Sequence, residues 1–164
     1  MKIVTDTGPI IGLAKIGRVS LLKKLAKEVL VPPIVHKELY GKIGAESDQI
    51  DQALSDFVHV VELGSLELNL DERFTNLGEG EKQSIILAST LKKEVLLLID
   101  DRAGRQAADS LNIPKIGLVG ILLLSKKIGL IENVVLLLHE LRAAGYLIFK
   151  MRPLSFHLFH RGGY

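Results

Sequence analysis

Apolar residues along the chain follow two rhythms that alternate from end to end. Short unbroken runs suit buried strands, and longer stretches repeat at three- and four-residue spacing, as helices do. Ile3-Val4, Val29-Leu30-Val31, Val58 to Leu63 and Val95 to Ile99 are the runs, with a further short one expected at 115–117. Helical spacing follows Pro9 (Ile10, Ile11, Leu13, Ala14), resumes after Gly17 (Val19, Leu21, Leu22, Leu25) and starts again at Pro33. Residues 45–56 turn Ile50, Ala53 and Leu54 to one side, and a polar stretch, 64–77, holds at most a short helix near Asp71. Gly78-Glu79-Gly80-Glu81 opens a helix through Lys93. Another carries Ala103, Ala107, Ala108 and Leu111 and is closed by Asn112 and Pro114. Helices over 116–128 and 131–141 are separated by Gly129, and Gly145 ends the second. Strands alternating with helices predict a three-layer α/β/α domain around a central, mostly parallel sheet of about five strands. Residues 1–145 make up that domain, and 146–164 form a tail packed on it or extending it.

Composition narrows the chemistry. A chain of 164 residues is one domain. It has no cysteine, which removes disulfides, thiolate zinc sites and cysteine nucleophiles. Lys and Arg number 21 against 19 Asp and Glu, so a surface basic throughout is excluded, and any polyanion site is a local cluster. The longest apolar run, Ile116 to Leu124, is far short of the ~20 residues of a spanning helix. Lys2 leads into a strand, not a signal peptide. These features predict a cytoplasmic protein with no membrane partner. Residues Val134 to Leu138 are apolar all round, which fits either a central helix or a face covered by a partner, most simply a homodimer.

Candidate chemistry lies in the carboxylates. Asp6 follows the first strand directly, where open α/β sheets bind ligands, and it also suits the cap of the next helix. Glu38 shares a helix face with Ile34 and Val35, which is costly unless a cation or partner meets it or the helix end turns it out to solvent. Glu79 and Glu81 lie in a first helical turn, where acids favour the dipole. Asp100 and Asp101 are adjacent at a strand end. Arg102 and Arg105 follow, to pair with them or to neutralise substrate phosphates. If the strands are central and parallel, Asp6 and Asp100 or Asp101 leave one edge, with Glu38 and Glu81 beside them. Such a set, lacking cysteine and a matched histidine group, is a hard-oxygen site for one or two Mg²⁺ or Mn²⁺ ions acting on a phosphodiester. His157 and His160 in the tail read as a surface pair. No Gly-x-Ser-x-Gly elbow, Gly-x-Gly-x-x-Gly or Walker sequence occurs.

Four stretches in order carry a family resemblance: Asp6-Thr7, Val31-Pro-Pro-Ile-Val-His-Lys-Glu38-Leu, Leu77-Gly-Glu-Gly-Glu81 and Leu98-Ile-Asp-Asp101-Arg-Ala-Gly-Arg105. Over about residues 2–145 the chain resembles a PIN domain, most closely a small prokaryotic subfamily of predicted nucleic-acid-binding proteins. The resemblance implies a Mg²⁺- or Mn²⁺-dependent endoribonuclease acting on single-stranded RNA. Many relatives are VapC-like toxins restrained by a small antitoxin, and many are homodimers. It further implies that Asp6 is the central metal ligand, with Thr7 positioning the site, and that Glu38 is the second acid. Glu81, with Glu79 as its rival, stands where the wider family has aspartate, and Asp100 and Asp101 share the fourth position. Lys37, Lys82, Arg102 and Arg105 become candidates for the RNA backbone. Tyr40 is one of few aromatics available for base stacking. The alternative is a non-catalytic PIN-like module that binds RNA or a protein.

Overall fold

The computed structural model describes residues 1–64, 74–91 and 94–146. The expected helix near Asp71, the end at Lys93 and the tail histidines fall outside them. Among the described residues, five strands form one parallel sheet: β1 Lys2–Thr5, β2 Glu28–Val31, β3 Val58–Val60, β4 Val95–Leu98 and β5 Lys115–Ile116. Eight helices connect and cover them: α1 Thr7–Lys15, α2 Ser20–Leu25, α3 Pro33–Tyr40, α4 Ser47–Asp56, α5 Glu79–Leu91, α6 Arg102–Ser110, α7 Leu118–Lys127 and α8 Val134–Ala143.

The strand order is β3-β2-β1-β4-β5. The chain builds outward from β1 in one direction, then returns to its other side with β4. This reversal places a crevice beyond the carboxyl ends of β1 and β4, where such sheets bind ligands. Thr5 pairs with Leu98, and the Asp6 amide donates to the Leu98 carbonyl at 3.2 Å. The residues following β1 and β4 are therefore held side by side.

Alternation along the strands divides the core in two. Ile3, Val29, Val31 and Leu98 face α1, α2, α3, α4, α7 and α8, whereas Val4, Leu30, Leu97 and Ile99 face α5 and α6. Both faces are covered, as a parallel sheet requires. On α6, Gly104 lets the helix approach the sheet: a Cβ there would lie 2.4 Å from Ile99 Cδ1. Ile99 is fully buried and cannot retreat, so Gly104→Ala is expected to destabilise the fold by about 1–3 kcal/mol, measured by urea unfolding.

Several sequence expectations move: the helix expected from 116 starts at Leu118, after Ile116 in β5, and the one expected over 131–141 runs Val134–Ala143. Helix α1 begins at Thr7, before Pro9, because a first-turn amide needs no intrahelical partner and proline is tolerated there. Strand β3 stops at Val60, an edge residue 40% exposed. Helix α8 is not central: Val134, Leu137 and Leu141 are buried, while Val135 and Leu136 are 45% and 53% exposed. Among the described residues no helix is long and apolar enough to cross a membrane.

Candidate active site at the carboxyl edge of the sheet

Asp6 stands at the N-cap of α1, yet its side chain makes no capping bond to the helix. It is pinned by the β1–β4 register and lies under the first turn of α5. A Cβ built on Gly80 would be 3.0 Å from Asp6 Oδ1, 3.3 Å from Glu38 Oε2 and 3.4 Å from Val35 Cγ2. Gly80 is thus the gap through which α1, α3 and α5 bring two acids together. Burial pushes the Asp6 carboxyl up from 3.8 to about 6; the Thr7 amide offsets part of this, and Glu38, Asp100 and Asp101 add to the rise.

Glu38 lies on α3 between Val35 and Leu39, both buried, but its own side chain is exposed at the rim. The expected apolar face therefore ends beside it, not over it, and most of the desolvation cost is avoided. The Thr7 hydroxyl donates to Glu38 Oε2, joining the start of α1 to the end of α3.

The two acids of α5 part company. Glu79 is exposed and pairs with Lys82 at 3.2 Å, a surface contact of ordinary i,i+3 kind. Glu81 turns inward, where burial raises its carboxyl above the usual range. The Gly78 amide, donating to Oε2 at 3.0 Å, opposes the rise, while Asp101, Asp6 and Glu38 reinforce it. That bond is one half of a capping box, so one side chain both starts α5 and faces the acids. Of the two, Glu81 is the one whose side chain lies among the other acids.

Asp100 and Asp101 point apart. Asp101 caps α6, its Oδ2 accepting the Gly104 amide at 2.9 Å. Asp100 Oδ1 accepts the Leu118 amide at 2.8 Å, and Oδ2 accepts the Tyr146 hydroxyl at 2.6 Å. Sequence reasoning missed Tyr146 altogether; its partner is 46 residues away, and nothing local announces it.

The expected basic residues are scattered around this edge. Arg105 Nη1 donates to the Ile99 carbonyl at 2.9 Å. Arg102 is exposed, and Lys37 lines a groove of about 450 Å³ with Pro33, Ile34, Glu62, Leu63, Gly64 and Gln83. Among the described residues no basic side chain forms an ion pair with Asp6, Glu38, Glu81, Asp100 or Asp101. Nor do three acids or histidines there converge closely enough to grip an ion as they stand. The chemistry still fits a hard divalent cation: all donors are oxygens, and Asp6 is a mostly buried carboxylate without a cationic partner.

A parallel sheet covered on both faces, with acids gathered where its strand order reverses, defines an α/β domain with an acidic ligand edge. The family model DUF3368, whose description is PIN domain, matches residues 2–151, and the chain belongs to that family. Its fold is similar to that of a PilT N-terminus domain protein from the hyperthermophilic archaeon Sulfolobus solfataricus P2. The TM-score is 0.56 at 20% identity, covering 76% of this chain and 93% of that one. No curated protein matches the chain.

Proposed function

We propose that the protein is a metal-dependent endoribonuclease hydrolysing phosphodiester bonds in single-stranded RNA. The observation that carries this reading is Asp6, a largely desolvated acid that feels the charges of Glu38, Asp100 and Asp101 and forms no ion pair with a basic side chain among the described residues. A fold gains nothing from such a group unless a cation meets it. Asp6, Glu38, Glu81 and Asp101, with Asp100 beside them, would hold one or two Mg²⁺ or Mn²⁺ ions. The bound metal supplies charge to polarise the phosphodiester and the acidity that makes water a nucleophile.

The chain's own residues prepare that edge. Thr7 orients Glu38, the Gly104 amide orients Asp101, and the Gly78 amide holds one oxygen of Glu81. Lys37, Lys82, Arg102 and Arg105 are the side chains that would meet flanking phosphates, with Lys82 exchanging Glu79 for RNA. The test is removal of the metal. A labelled single-stranded RNA is expected to be cut with Mn²⁺, spared in EDTA, and cut again when Mn²⁺ is restored; cutting that persists in EDTA contradicts the reading.

The spread of the acids favours a second reading, a non-catalytic PIN-like module that binds RNA or a protein. Retention of RNA without cleavage in any metal identifies it. Two partners complete the proposal. A small antitoxin, as the resemblance implies, would block the acidic edge. A second copy would cover Val135 and Leu136, and sedimentation as a dimer, lost in Leu136→Glu, is the expected result.

A further inference from the structure

The C-terminal end of α8 reaches back to the acids through one side chain. Helix α8 closes with a Schellman motif: the Tyr146 amide donates to the Leu141 carbonyl at 2.9 Å, and the Gly145 amide to that of Arg142 at 3.0 Å. Gly145, at φ +79°, supplies the left-handed turn that sends the next residue back across the domain. The Tyr146 ring then lies on α1 where Gly12 leaves room, with Gly8 one turn away in ordinary contact with its hydroxyl. A Cβ on Gly12 would be 2.8 Å from Tyr146 Cε2, and one on Gly8 would be 3.7 Å from its hydroxyl oxygen. From this seat the hydroxyl donates to Asp100 Oδ2 at 2.6 Å.

Asp100 is held equally firmly on its other side. Oδ1 accepts the Leu118 amide at the start of α7, and a Cβ on Gly117 would be only 2.7 Å from that oxygen. The carboxylate is thus clamped between a helix amide and a phenol, beside Asp6 and next to Asp101. Ring packing alone would hold α8 to α1 equally well with phenylalanine. The hydroxyl adds direction, because a charge-assisted bond to a carboxylate is short and fixes its orientation.

We propose that Tyr146 is a positioning residue: by clamping Asp100 from its seat over Gly12, it sets the orientation of the acidic edge that receives the cation. This rests on the metal-dependent reading above. Such partners of an acidic metal site change affinity or activity by about 10- to 100-fold when removed.

The experiment is a cycle of Tyr146→Phe, Asp100→Asn and the double variant, read by Mn²⁺ titration, by kcat and KM on a labelled RNA, and by melting temperature. Tyr146→Phe is expected to weaken Mn²⁺ binding and lower kcat by about tenfold or more, with KM for RNA unchanged and the melting temperature within about 3 °C of the parent. In the Asp100→Asn background the same change is expected to do nothing further, since the bond is already altered. Parental Mn²⁺ affinity and kcat in Tyr146→Phe overturn the proposal, as do losses that simply add in the double variant. A fall in melting temperature that accounts for the lost activity also overturns it, making Tyr146 a packing residue. If the parent itself binds no Mn²⁺, the metal-dependent reading fails first and takes this proposal with it.

Discussion

Asp6→Asn is expected to abolish cleavage and, in the absence of metal, to make the protein more stable. Loss of the central ligand removes several kcal/mol of transition-state stabilisation, on the order of a thousandfold in rate. The stability gain comes from the same carboxylate. Its folded pKa is raised from 3.8 to about 6, mainly by burial, so the folded state binds this proton more tightly than the unfolded chain does. Stability from that proton is complete below 3.8 and is lost as pH rises through about 6. A shift of roughly two units corresponds to about 2–3 kcal/mol, and asparagine carries no such loss. At pH 8 without metal, Asp6→Asn is therefore expected to melt roughly 5–10 °C above the parent. Near pH 4 the two should coincide. Urea or thermal unfolding at both values measures it, and a variant less stable than the parent at pH 8 contradicts the assignment of Asp6 as a desolvated acid with no ion-pair partner.

Gly80→Ala is expected to disable the site with little harm to the fold. Alanine is the better helix former by about 1 kcal/mol, and position 80 is inside the first turn of α5. The added methyl would nevertheless press on Asp6 Oδ1 at 3.0 Å and Glu38 Oε2 at 3.3 Å, with Val35 closing the remaining side. The carboxylates have to separate, and displacements of this order cost between about tenfold and a hundredfold in activity. Mn²⁺ affinity is expected to fall with the rate while urea stability stays within about 1 kcal/mol of the parent. Parental cleavage by Gly80→Ala shows that Asp6 and Glu38 do not act together.

Much of this edge was legible in the sequence because local rules carry it. Buried β-branched runs mark β1 and β2, and an acid after β1 together with two after β4 gives the edge once the sheet is parallel. Helix ends were readable for the same reason. Gly17, Asn112, Gly129 and Gly145 each stand where a helix closes, and all four adopt positive φ. What the sequence left open depends on direction and distance. Glu79 and Glu81 both suit a first helical turn, and only the two-residue rotation of α5 decides that one meets Lys82 and the other the acids. Asp100 and Asp101 are neighbours, so one side chain can turn to α6 and the other to α7. Their separate fates depend on Gly104, Leu118 and Tyr146, of which only the first is close in the chain. Gly80 was visible within Gly78-Glu79-Gly80-Glu81, but the room it makes is for Asp6 and Glu38, which are far from it in the chain. Gly12, in the interior of α1, was the available sign that something large lies on that helix.

The most direct test of a cation site at Asp6 is a calorimetric titration of Mn²⁺ into the parent and into Asp6→Asn at pH 8. Saturable binding to the parent is expected, and binding weaker by at least about a hundredfold in the variant, even though the variant is the more stable protein without metal. Equal affinity in the two proteins, or no binding to the parent, contradicts the claim that this acidic edge exists to hold a cation.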